Sequence, residues 1–264
     1  MVGPQSNFVD RILAMLGRVE YRLATTTEQR DAIFRMRYDC YLREGAIDPN
    51  ETLRYTDQYD NAPNALLLGV FVDGILSSSI RLHVVTPTCS ILPDKGTFPD
   101  IIEPMIVAGL KIIDSSRFVV GHEASKAHPG LAYLTVRAGW MGGEHFSVDR
   151  ILTATRSEHN PFYRRIFGFD VMTEARDYAT LKKPVCLLSL DYRAKRERVH
   201  RSYPFFMSTA AERNAIFDAG VRVPQRDEMK RWEYVADAHH PDIGKLAEPP
   251  AVAGKGRVAA SAYR

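Results

Sequence analysis

Cysteine is scarce in this chain of 264 residues, which contains only Cys40, Cys89 and Cys186. Three cysteines cannot all pair, none belongs to a Cys-x-x-Cys motif, and no metal-ligand spacing surrounds them. We therefore predict neither a disulfide scaffold nor a bound metal, and we expect a reduced, cytoplasmic compartment. Long apolar runs are absent as well, because the longest one, 65–80, is interrupted by Asp73-Gly74 and a run of serines. No transmembrane segment is predicted.

A large excess of charge is also missing, since 35 Lys and Arg stand against 32 Asp and Glu. The resulting net charge of +3 gives no reason to expect a nucleic-acid partner. A composition with 45% apolar and 25% charged residues excludes a disordered chain and is typical of a globular one. From Arg193 onward, however, basic residues outnumber acidic ones, which favours an anionic partner for that part of the chain.

Several common functional motifs are absent: a P-loop, a Gly-x-Gly-x-x-Gly after a strand, His-Glu-x-x-His and Gly-x-Ser-x-Gly. The N-terminal segment 1–18 has no basic region, and Asp10 and Arg11 interrupt its apolar positions. It is expected to form a short amphipathic helix rather than a signal peptide.

The apolar periodicity predicts a mixed α/β sheet, because strands alternate with helices only in the second half of the chain. Thr27 is expected to cap the first long helix. The predicted strands are 19–23, 65–72, 75–85, 116–123, 150–155 and 183–192, and the predicted helices are 27–43, 131–146, 160–167 and 210–218. Asp73-Gly74 indicates a hairpin. The segment 86–113 is a long, proline-containing excursion, predicted either to cover the site as a lid or acyl tunnel or to pack as a small apolar cluster.

Two parts of the chain are distinguished by composition. Residues 1–206 carry the strand and helix pattern of one α/β domain. Residues 207–264 are predicted to form a helical appendage, followed from His240 by a Pro-, Gly- and Ala-rich tail expected to be flexible.

The sequence Asn-Pro-Phe-Tyr-Arg-Arg-Ile-Phe-Gly-Phe at 160–169 combines an aromatic pair with a helix stop. Tyr163 and Phe167 lie four residues apart on one helix face, and Gly168 ends the helix. A packed helix end explains this pattern equally well. The run also resembles the Phe-Tyr-x-x-x-Gly-Phe segment of the GNAT acyltransferase superfamily, which follows the strand beside the acyl-thioester cleft. The resemblance implies a GNAT-like mixed central sheet flanked by helices.

A second, ordered set of residues resembles the autoinducer-synthase branch of that superfamily, which contains N-acyl-homoserine-lactone synthases and N-acyl amino acid synthases. The resemblance covers residues 19–190 and implies a substrate-binding site. The residues of this chain that match the family's pattern are Arg37 and Tyr41 on the first helix, Asp57, Tyr59 and Asp60 in the next loop, Arg81 late in a strand, and Asp114 and Arg117 in a later strand.

Three departures from that family shape the functional expectation. Asp114 stands where the family usually has glutamate, and no tryptophan follows the first helix, which weakens S-adenosylmethionine as the acceptor. The segment 121–131 lacks the pyrophosphate loop that a coenzyme A donor normally uses.

We expect an enzyme that moves a fatty acyl group from acyl-carrier protein, or from acyl-CoA, to the α-amine of an amino acid. The alternatives are N-acyl-homoserine-lactone synthesis from S-adenosylmethionine and a non-catalytic module that binds acyl groups or a carrier protein.

Amide formation from a thioester requires a neutral amine, a held carboxylate and a protonated leaving group. Arginines suit the acceptor carboxylate because the guanidinium binds it with two hydrogen bonds. Asp114 or Glu123 is expected to take the amine proton, and Tyr163 to protonate the leaving thiolate. No bound cofactor is expected. The basic residues predicted to dock an acidic carrier protein are Arg164, Arg165, Arg196 and Arg198.

Overall fold

Seven strands form one mixed sheet in a computed structural model that describes residues 4–179 and 181–218. The strands are β1 (Val19–Leu23), β2 (Ala65–Val72), β3 (Ile75–Val85), β4 (Ile112–Val120), β5 (Arg150–Thr155), β6 (Asp170–Val171) and β7 (Cys186–Asp191). Their spatial order is β1-β2-β3-β4-β5-β7-β6. Only the β4–β5 pair is parallel, and every other neighbouring pair in the sheet is antiparallel.

Eight helices accompany the sheet in the described part of the chain. They are α1 (Pro4–Leu16), α2 (Thr27–Arg43), α3 (Pro99–Val107), α4 (His122–Ala127), α5 (Leu131–His145), α6 (Asn160–Ile166), α7 (Tyr192–Ser202) and α8 (Ala210–Phe217). Two short 3₁₀ turns, Gln58–Asn61 and Pro93–Gly96, become important at the site. No helix among the described residues is both long and apolar enough to cross a membrane.

Alternating side chains sort the two faces of the sheet, because successive residues of a strand point to opposite sides. Ile113 belongs to the main core, which packs against α5, whereas its neighbour Ile112 joins a smaller core with Phe98 and Ile102 of the 86–111 segment. We call the first side the α5 face and the second the α2 face, since α2 also packs there, with Ile33 against Leu67.

The sheet opens between β4 and β5. Their parallel pairing covers only Ile112–Asp114 on β4, and beyond Asp114 the two strands have no common register. On the α5 face, α5 lies close to this opening through Gly139, at which an added Cβ would stand 3.0 Å from the Ser115 hydroxyl oxygen. The fold thus leaves a gap in the sheet beside a closely packed helix.

Several predicted elements need correction. The strand predicted at 116–123 begins four residues earlier and ends at Val120, because the polar Asp114 and Ser115 hide a buried strand from a hydrophobicity pattern. Glu123 therefore lies in α4 and not at the end of a strand. The α2 cap is Thr26, which with Gln29 forms a capping box, one residue before the predicted Thr27.

The last strand and the basic run after it also differ from the prediction. The strand predicted at 183–192 is found as Cys186–Asp191, and the basic residues after it form α7, whose N-cap is Asp191. The two-residue strand β6 and the helices α3 and α4 were not predicted as such. Short elements of this kind carry too few residues for periodicity to reveal them.

The C-terminal helix is part of the main core. Phe217 of α8 is fully buried in it, and Glu212 accepts hydrogen bonds from the buried Arg137 of α5, with the shorter at 2.6 Å. The Arg137 guanidinium also donates to the carbonyls of Phe205 and Met207. A division of the chain at residue 206 stays a prediction, and the tail predicted to be flexible lies outside the described residues.

Candidate active site

The loop after α2 delivers two carboxylates to the α2 face. Gln58–Asn61 forms a 3₁₀ turn, and the Asp60 carboxylate accepts hydrogen bonds from the Asp57 backbone N–H and the Thr56 hydroxyl, both at 2.9 Å. These bonds fix the turn from within, as in a capping box. The turn therefore presents Asp57 and Asp60 side by side toward the sheet.

Two buried arginines meet these carboxylates. Arg37 of α2 donates from Nη1 to Oδ1 of Asp60 at 2.7 Å, and both side chains are fully buried. Arg81 of β3 donates from Nη1 to Oδ1 of Asp57 at 2.5 Å and to Oδ1 of Asp60 at 2.9 Å. Buried charges require partners of opposite sign, so these contacts hold α2, the loop and β3 in one arrangement.

A bulge in β4 adds a third arginine. Arg81 pairs with Ser116 and Ser79 with Val119, so β4 has one more residue than β3 between these two pairs. The bulge contains Arg117, whose φ of 53° lies in the left-handed region. Its side chain consequently points to the same face as Ser116 and donates two hydrogen bonds to Oδ2 of Asp57, at 2.5 and 3.1 Å.

The charges in this cluster do not cancel. Burial alone would raise the pKa of Asp60, but the charges of Arg37 and Arg81 outweigh it and lower the pKa to about 2. The pKa of Asp57 is likewise held well below its ordinary value by Arg117 and Arg81, against the effect of burial. Three guanidinium groups thus face two ionised carboxylates, and the excess positive charge suits a carboxylate ligand.

Aromatic side chains border the arginine cluster. The guanidinium of Arg117 lies 4.7 Å from the ring centre of Tyr55 and 6.0 Å from that of Tyr41, and its Nη1 donates to the Tyr55 hydroxyl at 2.9 Å. The Tyr59 ring packs edge-on against His83, and its backbone carbonyl lies 3.1 Å from the His83 Nε2. Burial and the nearby charge of Arg81 lower the pKa of His83 to about 3, so this imidazole is neutral.

Asp114 lies at the point where β4 and β5 separate. Its side chain is fully buried on the α2 face, two residues before Ser116 and opposite His83 in the sheet. Its carboxyl group interacts with that of Asp94, in the Pro93–Gly96 turn, and neither of its oxygens has a hydrogen-bond donor among the described residues. Burial first, and the Asp94 charge second, raise the pKa of Asp114 well above its ordinary value. Asp114 therefore keeps its proton to a higher pH than Asp57 and Asp60, which are ionised.

An apolar slot lies on the α5 face beside the gap in the sheet. It is lined by Ile80, Ser115, Phe118, Val136, Gly139, Trp140, Ile151, Thr153, Tyr163, Phe167 and Phe169. Tyr163 is buried there, and burial raises the pKa of its hydroxyl to about 12. The hydroxyl therefore keeps its proton at neutral pH and is able to donate it.

The structure places Glu123 apart from the cluster. Its side chain is 84% exposed on α4, and its carboxylate lies 3.2 Å from the Lys126 ammonium. The predicted position at the end of the Arg117 strand was wrong, because β4 ends at Val120 and a helix follows Gly121. A solvated carboxylate paired with lysine has no contact with the other site residues, so we give it no role in the reaction.

The predicted docking residues fall into two groups. Arg164 and Arg165 are exposed in the last turn of α6, and Arg198 of α7 donates to the Ile166 carbonyl at 3.3 Å, which brings the two helices together. Arg196 instead pairs with Glu144 at 3.0 Å. The first three thus form one basic surface, which we call the α6–α7 basic surface, whereas the charge of Arg196 is neutralised.

Sequence reasoning missed four residues around the cluster: Tyr55, His83, Asp94 and Tyr178. His83 had a usable signal, since it lies two residues after Arg81 and must share its strand face. Asp94 and Tyr178 come from irregular segments far away in the chain, and nothing in their local sequence predicts a contact. Among the described residues, no group of His, Cys, Asp and Glu is arranged to hold a metal ion.

Comparison with known proteins gives consistent matches. The family model "N-acyl amino acid synthase FeeM" matches residues 32–191. The solved structure of FeeM, an N-acyl amino acid synthase from uncultured soil microbes, is 20% identical, covers 72% of this chain and 99% of that chain, and gives a TM-score of 0.57. BjaI, a CoA-dependent acyl-homoserine lactone synthase, is 15% identical over 82% of this chain and 99% of that one, with a TM-score of 0.50. The AHL synthase LasI is 16% identical over 79% and 98%, also with a TM-score of 0.50. No curated protein sequence matches.

A mixed sheet that opens between β4 and β5, with a charged cluster on one face and an apolar slot on the other, defines a GNAT-like N-acyltransferase. The predicted fold class and enzyme class are thereby confirmed. The family model spans more than half of the sequence, so the chain belongs to the FeeM family of N-acyl amino acid synthases.

Proposed function

We propose that this enzyme transfers a fatty acyl group from the thioester of an acyl-carrier protein to the α-amine of an amino acid. The observation that carries the proposal is the position of the two half-sites on opposite faces of one gap. The positive cluster of Arg37, Arg81 and Arg117 lies on the α2 face, and the apolar slot lies on the α5 face. Because β4 and β5 separate beyond Asp114, a thioester in the slot can meet an amine held at the cluster.

The cluster supplies the recognition of the acceptor. An amino acid brings a carboxylate, and the excess positive charge of the cluster favours binding it beside Arg117 and the Tyr41 and Tyr55 rings. The two aspartates keep the arginines fixed before the substrate binds, so little reorganisation is needed at the moment of reaction. An acceptor without a carboxylate loses this interaction.

Strand β4 and Tyr163 supply the rest of the chemistry. Beyond Asp114, none of the described strands pairs with the edge of β4 that faces the gap, so backbone N–H groups on this edge are available to a developing oxyanion. Tyr163 lines the slot and its hydroxyl is protonated at neutral pH, which supports it as the acid that protonates the leaving thiolate. Tyr163 regains a proton from the amine nitrogen as the amide forms.

The slot and the α6–α7 basic surface select the donor. Each methylene of an acyl chain buried in the slot contributes about 0.8 kcal/mol. Arg164 and Arg165 follow the slot residue Tyr163 directly along α6, so their positive charge lies near the slot. A carrier protein with an acidic helix beside its phosphopantetheine arm fits that charge, and charges at the rim of an interface accelerate association.

Product analysis with purified protein tests the proposal. The enzyme is incubated with one acyl group presented either on carrier protein or on coenzyme A, together with a mixture of amino acids or with S-adenosylmethionine. Mass spectrometry is expected to show N-acyl amino acids, formed faster from the carrier protein. An acyl-homoserine lactone would support the alternative acceptor, and binding of acyl carrier without any product would support a non-catalytic module. Arg117→Ala serves as the inactive control.

A further inference from the structure

Two carboxyl groups meet inside the protein beside the cluster, one from Asp114 of β4 and one from Asp94 of the 86–111 segment. Both side chains are fully buried. Among the described residues, neither oxygen of Asp114 receives an N–H or a neutral hydroxyl, and Asp94 receives only the Tyr178 hydroxyl, on Oδ1 at 2.9 Å. Two carboxylates in such a place repel each other unless a proton lies between them.

The surrounding charges do not remove this need for a proton. The titratable groups that face the pair are Arg81 and His83 from β3, Arg117 from β4, Tyr59 from the acidic turn and Tyr178 from the segment before β7. Both arginines donate to Asp57, and His83 is neutral. The two carboxyl groups of the pair therefore face each other, with the Tyr178 hydroxyl as the one donor to them among the described residues.

The pair also lies where the reaction requires a proton acceptor for the substrate amine. Both carboxyl groups are fully buried, and they interact with each other. Asp114 also marks the point where the gap in the sheet begins, where the proposed acceptor amine and the thioester meet. We propose that Asp94 and Asp114 act as one proton acceptor for the substrate amine, which takes a single proton and shares it between the two carboxyl groups, with Asp94 as a positioning residue for Asp114. This inference rests on the proposed function.

Proton transfer from the substrate to the pair precedes formation of the C–N bond. The fully ionised pair takes one proton from the substrate ammonium and holds it between its carboxyl groups. The freed nitrogen lone pair forms the C–N bond at the thioester carbon, and the C–S bond breaks. The leaving sulfur receives a proton from Tyr163, which recovers it from the second N–H of the former amine. The pair returns its proton to solvent before the next cycle.

The first experiment needs no variant. In protein labelled with ¹³C at the aspartate carboxyl carbon, NMR at increasing pH reports the titration of each aspartate. One resonance is expected to titrate well above the range of exposed aspartates, and it should be absent from Asp114→Asn. If every aspartate has lost its proton by about pH 5, as ordinary aspartates have, the shared proton is overturned.

The second experiment tests the role of Asp94 in the reaction through the pH dependence of kcat/KM. Asp94→Asn removes a negative charge beside Asp114, so Asp114 releases its proton more easily, and the acid limb is expected to move to lower pH by about one unit or more. Asp100→Asn is the matched control, because Asp100 lies on the same segment and pairs with Arg176 at the surface. An acid limb that moves in neither variant, or equally in both, contradicts the proposal.

The two experiments separate this inference from the proposed function. A high-titrating aspartate combined with the shift in Asp94→Asn supports both. A high-titrating aspartate without acyl transfer to any amino acid overturns the proposed function and the catalytic role of the pair, while the shared proton stands. Acyl transfer with an unshifted acid limb leaves the proposed function in place and overturns the role of Asp94.

Discussion

Arg117, held at a φ of 53°, places its Nη2 2.5 Å from Oδ2 of Asp57, a residue that precedes it by 60 positions in the chain. A left-handed conformation at a non-glycine residue costs about 1–3 kcal/mol and persists only where the surroundings enforce it. Here the enforcing contact is a buried ion pair at the proposed acceptor site. The strained bulge and the charged cluster therefore depend on each other.

Replacing Arg117 is expected to abolish most of the activity. Arg117→Ala leaves Asp57 with Arg81 alone and removes the charge beside Tyr55, so kcat/KM for the amino acid should fall by the equivalent of ~2–5 kcal/mol. Arg117→Lys keeps the charge but not the paired hydrogen bonds, and should recover only part of the activity. Steady-state kinetics with varied amino acid measures both. Arg18→Ala, on an exposed pair with Asp73, is the control. Full activity in Arg117→Ala, with an intact circular dichroism spectrum, would contradict the assignment.

The buried His83 predicts a loss of stability in acid. Burial and Arg81 lower the pKa of His83 to about 3 in the folded state, against about 6.5 in the unfolded chain. The unfolded state therefore binds a proton that the folded state does not. The free energy of unfolding should fall as the pH drops from about 6.5 toward 3, by up to about 1.4 kcal/mol per pH unit from this residue.

Urea unfolding across that pH range measures the effect. His83→Gln retains a donor for the Tyr59 carbonyl but does not titrate, so its stability should depend less steeply on pH than that of the wild type. Equal slopes in the two proteins would show that His83 does not bind its proton differently on unfolding.

The apolar slot predicts that acyl preference depends on Gly139. An added Cβ at this position stands 3.0 Å from the Ser115 hydroxyl oxygen and enters the slot. In Gly139→Ala, kcat/KM for long acyl groups should fall roughly tenfold relative to short ones, which corresponds to about 1.4 kcal/mol. A series of donors differing only in chain length gives the ratio. Gly17→Ala, where the new methyl group meets only open space and a carbonyl at 3.9 Å, should leave the ratio unchanged.

The α6–α7 basic surface predicts a charge-dependent donor reaction. Reversing Arg164 and Arg165 to glutamate should slow the reaction of acyl-carrier protein more than that of the same acyl group on coenzyme A. Raising the salt concentration should reduce the difference, because rim charges are screened. Competition between the two donors measures this preference. Arg18→Glu, a charge change elsewhere on the surface, should slow neither reaction, and equal damage to both donors by the Arg164 and Arg165 changes would show that this surface does not dock the carrier.

Much of the fold follows from local patterns, and the site follows from a resemblance. The strands at 65–72 and 75–85 are found where alternation and the Asp73-Gly74 turn predict them. The bulge at Arg117 could not be predicted, because simple alternation would place Arg117 on the face opposite Asp114 and Ser116. The contact of Asp94 with Asp114 depends on how an irregular segment packs against the sheet, and sequence spacing contains no information about that packing.

The contact between Arg137 and Glu212 limits how far the chain can be shortened. A version that ends at residue 206 would lose Glu212 and the Met207 carbonyl. The guanidinium of Arg137 would then remain in the core with neutral partners, which include the Phe205 carbonyl, the Met141 sulfur and the Tyr21 ring. It would also lose the Phe217 side chain from the interior. An unpaired internal charge costs several kcal/mol, a large part of the total stability of an ordinary domain. Any trimmed version made for crystallisation should therefore retain α8.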